Sequence, residues 1–192
     1  DGYYTYKHGT SMATPITAGS IALLIEHLNN IGAYDCRLAV NTVFNDCPES
    51  ALIKAIMTAG SRDLEGQYNS GGDGENGAVE KAPNPHEGWG RIDLQTAVGA
   101  GFTSGIEITT SESHSFRLSI PDSGLENFRV VLAWNDPVNS ASAGVQLVND
   151  LDIQLKSPSG AIQDYTNDNR NNLVGITATG FPEAGDWEIT VT

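Results

Sequence analysis

The spacing of apolar residues changes character near residue 101. Before it, the apolar positions follow helical spacing. Residues 12–29 carry Ile16, Ile21, Leu23, Leu24, Ile25 and Leu28. They cover nearly every side of a helical wheel, which predicts a buried helix. Gly19 inside that run costs about 1 kcal/mol relative to alanine, so another backbone is expected to pack closely there. PESALIKAIMTAG, residues 48–60, predicts a second helix, opened by Pro48 and Glu49 and stopped by Gly60. Residues 62–88 are rich in Gly, Asn, Asp and Pro and read as an irregular loop. GWGRIDLQTAVGAG, residues 88–101, reads as a tight glycine-flanked turn and a short helix at about 92–99. Beyond it the pattern is that of strands, at 115–121, 128–134, 151–158, 172–180 and 186–192. Pro-Asp-Ser-Gly, Pro-Ser-Gly and Pro-Glu-Ala-Gly turns punctuate them, which predicts an all-β sandwich or barrel. Two domains are therefore expected, at 1–101 and 102–192, with no internal repeat.

Composition narrows the function. The 192 residues are 39% hydrophobic, enough for a real core. The net charge is −14 with the acids dispersed, which argues against nucleic acid or an anionic membrane as partner. No apolar run approaches the length of a membrane span. The chain starts Asp1-Gly2-Tyr3, with neither an initiator methionine nor a signal peptide, and is expected to be part of a longer polypeptide. Cys36 and Cys47 are the only cysteines. In an oxidising compartment they would close a small ring, and reduced they would be ordinary buried thiols.

The most constrained stretch is GTSMATPITAG, residues 9–19. Proline is favoured in the first helical turn, so Pro15 places Ser11 at a helix N-terminus. Backbone N–H groups are unpaired there and the helix dipole is positive. Two roles stay open on these grounds. Thr10 or Ser11 would serve as an ordinary cap. Alternatively, the Ser11 hydroxyl would act as a nucleophile beside oxyanion donors.

GTSMATP resembles the nucleophile motif of the subtilisin-like serine proteases, the subtilases. Gly9, Thr10, Met12 and Pro15 match that motif around Ser11. LIKAIMTAG (52–60) and GWGRIDLQTAV (88–98) look like the later helix and the closing segment of the same domain. LAWNDP (132–137), LVNDLDIQLKSPSG (147–160), NDNRNNLV (167–174) and PEAGDWEITV (182–191) resemble the C-terminal jelly-roll barrel of certain alkaline subtilases. The resemblance implies an α/β subtilisin-like catalytic domain, present as its C-terminal portion, followed by an all-β jelly-roll or sandwich domain. It implies peptide-bond hydrolysis through an acyl-enzyme on Ser11, with the Ser11 backbone N–H as one oxyanion donor. It also implies protein or peptide substrates and a secreted, extracellular setting. No cofactor is needed for that chemistry.

In this family the catalytic Asp and His and the oxyanion Asn precede the serine. None of their motifs occurs in this chain. They are expected on the upstream part of the same polypeptide, which leaves this chain inactive alone. The sequence ends on a strand at Thr192, so a final barrel strand is expected to be missing. His8 stands three residues before Ser11 but reads as a loop histidine. His27 falls in the long helix, His86 in the irregular loop, and His114 opens a strand. Ser11, Asp93 and His114 run in α/β-hydrolase order, but the elbow of that fold needs Gly where Ala13 stands.

Subtilases commonly bind calcium, and Asn149, Asp150 and Asp152 are weak candidates for a structural ion. Asp150 and Asp152 would share one face of a strand, helped by Asp136 or Asp168 from loops; a solvated acidic face is the simpler reading. Asp73, Gly74, Glu75 and Asn76 form a second candidate loop. The rival to the protease is a non-catalytic binding or structural module, a pseudoprotease tail bearing a β-sandwich.

Overall fold

The computed structural model describes residues 6–34, 47–64, 81–121, 124–165, 168–180 and 182–192. The chain divides into two compact units, one of residues 1–49 and 56–101, the other of residues 50–55 and 102–192.

In the first unit, α1 spans Thr10–Asn30. It starts two residues before the predicted helix, so Pro15 falls in the second turn, not the first. Only Leu24 and Leu28 are buried along it, and α1 packs on a short helix α3, Leu94–Val98. The expectation of a buried helix is therefore corrected. Ile16 is 63% exposed and Leu23 55% exposed. Burial needs neighbours on every side, and the described residues cover only the side of Leu24 and Leu28. The close packing expected at Gly19 is not seen either: among the described residues a Cβ there would meet nothing within 4 Å.

Helix α2, Ser50–Ala59, runs between Glu49 and Gly60 at its cap positions, with no side chain capping its start. Its buried residues Leu52, Ile53, Ile56 and Met57 recur at helical spacing along one face. After α2 the chain makes an antiparallel bridge between Arg62 and Arg91, with N–H to carbonyl distances of 2.7 and 2.8 Å. Gly90 lies against this bridge with φ 109°, and a side chain there would collide with the Arg62 carbonyl. Asp93 caps α3 by accepting the Thr96 N–H at 3.2 Å. That occupies the carboxylate which the α/β-hydrolase order would need.

The second unit holds six strands among the described residues: β1 His114–Ile120, β2 Asn127–Ala133, β3 Ile153–Lys156, β4 Ile162–Tyr165, β5 Leu173–Thr179 and β6 Gly185–Val191. They form a four-stranded antiparallel sheet in the order β1-β6-β3-β4 and a two-stranded sheet β2-β5. Strand β4 was not expected. It is four residues long and returns directly from the Pro-Ser-Gly turn, where Ser157 N–H donates to the Ala161 carbonyl at 2.8 Å.

Alternation does the sorting in the larger sheet. Ile153 and Leu155 are buried while Gln154 and Lys156 are exposed. Both sheets contribute to one hydrophobic cluster. Ile120, Ile153, Leu155, Trp187 and Val191 come from the larger sheet and Val174, Ile176 and Ala178 from β5. The Trp187 ring meets the Phe128 ring edge-on, with centroids 5.1 Å apart and planes at 80°. Such an aromatic pair contributes about 0.5–1.5 kcal/mol beyond its burial. Cys47 is disulfide-bonded, and Cys36 lies outside the described residues.

Candidate active site around Ser11

The start of α1 is set by Gly9, which takes φ 132° and ψ 173°. Its carbonyl accepts the N–H of Met12 at 3.0 Å and of Ala13 at 3.1 Å. No side chain caps the helix, so neither Thr10 nor Ser11 takes the capping role that the sequence left open. Ser11 is the second residue of α1 and is exposed. Its N–H is one of the orphan donors of the first turn and has no hydrogen-bond partner among the described residues. The hydroxyl has none either.

Electrostatics favour negative charge at this point. The first turn carries no acidic side chain, and His27 lies in the last turn, at the negative end of the dipole. Pro15 has no N–H to give the carbonyl four residues back, so the Ser11 carbonyl is left out of the regular ladder. Three hydroxyls then fold back onto the helix: Thr14 to the Thr10 carbonyl at 2.9 Å, Thr17 to Ala13 at 3.1 Å and Ser20 to Ile16 at 2.9 Å. Sequence reasoning missed these bonds, although Ser and Thr inside a helix are their usual signal.

A nucleophilic serine needs a base in hydrogen-bond reach, and no described residue reaches the Ser11 hydroxyl. His8 is exposed and makes no hydrogen bond to Ser11. His86 sits in a turn, where its backbone N–H donates to Asn84 Oδ1 at 2.9 Å. His114 begins β1 opposite Val191. Met12 is exposed next to Ser11 in the chain. A surface depression of about 410 Å³ lies further along α1, lined by Ala22, Ile25, Glu26, Asn29 and Asn30.

Asp136, Asn149 and Asp168, considered for calcium, make hydrogen bonds within the chain. Asp136 accepts the Val148 N–H at 2.7 Å on one oxygen. On the other it accepts the Asn149 N–H and side-chain amide, both at 2.9 Å. The Asn149 carbonyl accepts the Trp134 indole N–H at 3.0 Å. Desolvation is the largest single influence on Asp136 and pushes its pKa up. The donors from Val148, Asn149 and Trp134 together outweigh it and hold the carboxyl below its usual range. Asp168 is likewise occupied by Arg170 and Asn171.

Asp150 and Asp152 precede β3 instead of lying within it, so the shared strand face is corrected. Asp152 exchanges both backbone bonds with Thr192, at 3.0 and 3.1 Å. Among the described residues no group of three or more His, Cys, Asp or Glu is placed to hold a metal ion. Asp73, Gly74, Glu75 and Asn76 lie outside the described residues. No helix among the described residues is long and apolar enough to cross a membrane.

Residues 1–90 match the Subtilase family model, which supports a subtilisin-like serine protease. No match to the chain is found among curated proteins.

Proposed function

We propose that this chain is the C-terminal part of a secreted subtilisin-like serine endopeptidase with Ser11 as its nucleophile. The observation that carries the reading is the coincidence of two facts. The family match covers residues 1–90. Within it, Ser11 stands exposed at the positive end of α1, its N–H without a hydrogen-bond partner among the described residues.

In this reading the Ser11 Oγ attacks the carbonyl carbon of a peptide bond. Its proton passes to a base on the upstream part of the same polypeptide, and the oxyanion is held by the Ser11 N–H and an upstream donor. The C–N bond breaks, the amine leaves with that proton, and water then releases the acyl group from Ser11. No cofactor takes part. The exposed apolar residues Met12, Ile16 and Leu23 of α1 are the surface on which the upstream part packs. The two antiparallel sheets of the second unit belong to a jelly-roll domain that stabilises the protease. The partners are peptide substrates, with neither nucleic acid nor membrane among them, and calcium is at most structural.

A non-catalytic module is the rival. Fluorophosphonate labelling of the intact native protein, with the labelled peptide identified by mass spectrometry, separates the two. Label on Ser11, abolished by Ser11→Ala, is expected. An unlabelled Ser11 in an intact protein no longer than this chain would establish the rival. The isolated 192-residue chain is expected to hydrolyse no peptide.

A further inference from the structure

We propose that Arg62 and Arg91 form an anion-binding site that takes one carboxylate or phosphate group between their two guanidinium groups. The two residues stand opposite each other across the antiparallel bridge that follows α2. Each donates its backbone N–H to the carbonyl of the other, at 2.7 and 2.8 Å. Residues paired in this way lie about 5.5 Å apart at Cα and send their side chains to the same face. Two positive charges are thereby set side by side, which on its own destabilises the pairing.

Nothing described in the chain neutralises them. Neither guanidinium has a hydrogen bond or an ion pair among the described residues. Acids are not scarce, since the chain has 24 Asp and Glu against 10 Lys and Arg. Those nearby in sequence bond elsewhere. Asp63 accepts the Ala82 N–H at 3.1 Å. Glu87 accepts the Leu64 N–H at 3.1 Å and the Asn84 amide at 2.9 Å. Asp93 caps α3. Both arginines are exposed, so an anion from solvent can reach them. The backbone beneath them is held on both strands. Gly90 lies against the Arg62 carbonyl, and the Ser61 hydroxyl donates to the Trp89 carbonyl. A guanidinium presents its N–H groups as a planar fork that matches the paired oxygens of a carboxylate or a phosphate. Two forks on one face can hold one such group from both sides, and binding relieves their repulsion. The net charge of −14 turns away long polyanions. The group therefore comes from an acidic peptide segment or from free phosphate. The site needs neither Ser11 nor a base, so it stands apart from the proteolytic reading.

The test is isothermal titration calorimetry at fixed ionic strength. It uses the intact native protein carrying Ser11→Ala, so that no probe is cleaved. The two probes are inorganic phosphate and a tetraglutamate peptide, and the probe that binds more tightly identifies the source. Arg62→Gln and Arg91→Gln are each expected to weaken binding about tenfold, the loss of one charge-assisted partner. Arg62→Lys keeps the charge, loses the fork and is also expected to weaken it. Arg170→Gln removes another exposed arginine and is expected to leave binding unchanged. Undiminished binding in either glutamine variant of the bridge, or an equal loss in Arg170→Gln, overturns the proposal. So does a protein with both arginines in place that takes up neither probe, a result that requires no bridge variant to fold.

Discussion

Replacing Trp187 with alanine tests the packing of the second unit most severely. The residue is only 4% exposed. Its ring meets Phe128 edge-on at 5.1 Å, and its indole N–H donates to the Glu183 carbonyl at 2.9 Å. Truncating a buried Trp to Ala costs about 3–5 kcal/mol in lost transfer energy and cavity. The aromatic pair adds about 0.5–1.5 kcal/mol, and the hydrogen bond about 1 kcal/mol. These contributions overlap, so a loss of about 4–6 kcal/mol is expected, a large share of a domain stability of about 5–15 kcal/mol.

Trp187→Phe separates the contributions. It keeps a ring against Phe128 and loses the indole donor and some volume, for a loss of about 1–2 kcal/mol. Urea unfolding followed by far-ultraviolet circular dichroism gives both differences. Amide hydrogen exchange in β1, β3 and β6 locates them. A Trp187→Ala loss under about 1 kcal/mol, or equal losses for the two variants, would refute the reasoning.

Gly90→Ala is expected to destabilise the first unit by about 2 kcal/mol or more, because it forces a positive φ on a side chain and drives it into the Arg62 carbonyl; thermal melts of the variant measure this. Asp136 has a lowered folded pKa, so its stabilisation is fully present above the unfolded carboxylate value near 3.8 and is lost as pH falls through the lower folded value. Asp136→Asn should therefore flatten the acid limb of the stability curve of the second unit below about pH 4, and a pH series of urea titrations shows whether it does. Leu23→Glu in the isolated chain should change its stability by no more than about 0.5 kcal/mol, since Leu23 is exposed; a loss of several kcal/mol would show that Leu23 is packed after all.

Strands and helices were legible wherever periodicity ran long enough. The helix at 48–60 and the alternation of several strand segments could be read directly from residue order. Strand β4 was not, because four residues after a turn carry too little pattern to separate from a loop. The error at α1 was of another kind. An all-apolar wheel states what the helix needs, whereas exposure records what the described residues supply. The site divided likewise. Ser11 was placed at a helix start by Pro15 and the resemblance, although Pro15 sits a turn later than assumed. The Gly9 carbonyl, the back-bonding hydroxyls and the Asp136 clamp depend on backbone torsions that residue order does not display.

Among the described residues the order β1-β6-β3-β4 places β6 between β1 and β3. That sets a schedule for synthesis. The β3–β4 hairpin pairs over a few residues and can form as it emerges. Strand β1, complete at Ile120, must wait for β6, complete at Val191. At about 5–20 residues per second, that interval is roughly 4–14 s. Throughout it β1, with Phe116, Leu118 and Ile120 on its inward face, lacks the strand that it pairs with among the described residues. A nascent chain halted anywhere in that window carries an open, sticky ribbon, and factors that shield nascent chains would be needed most between those two strands.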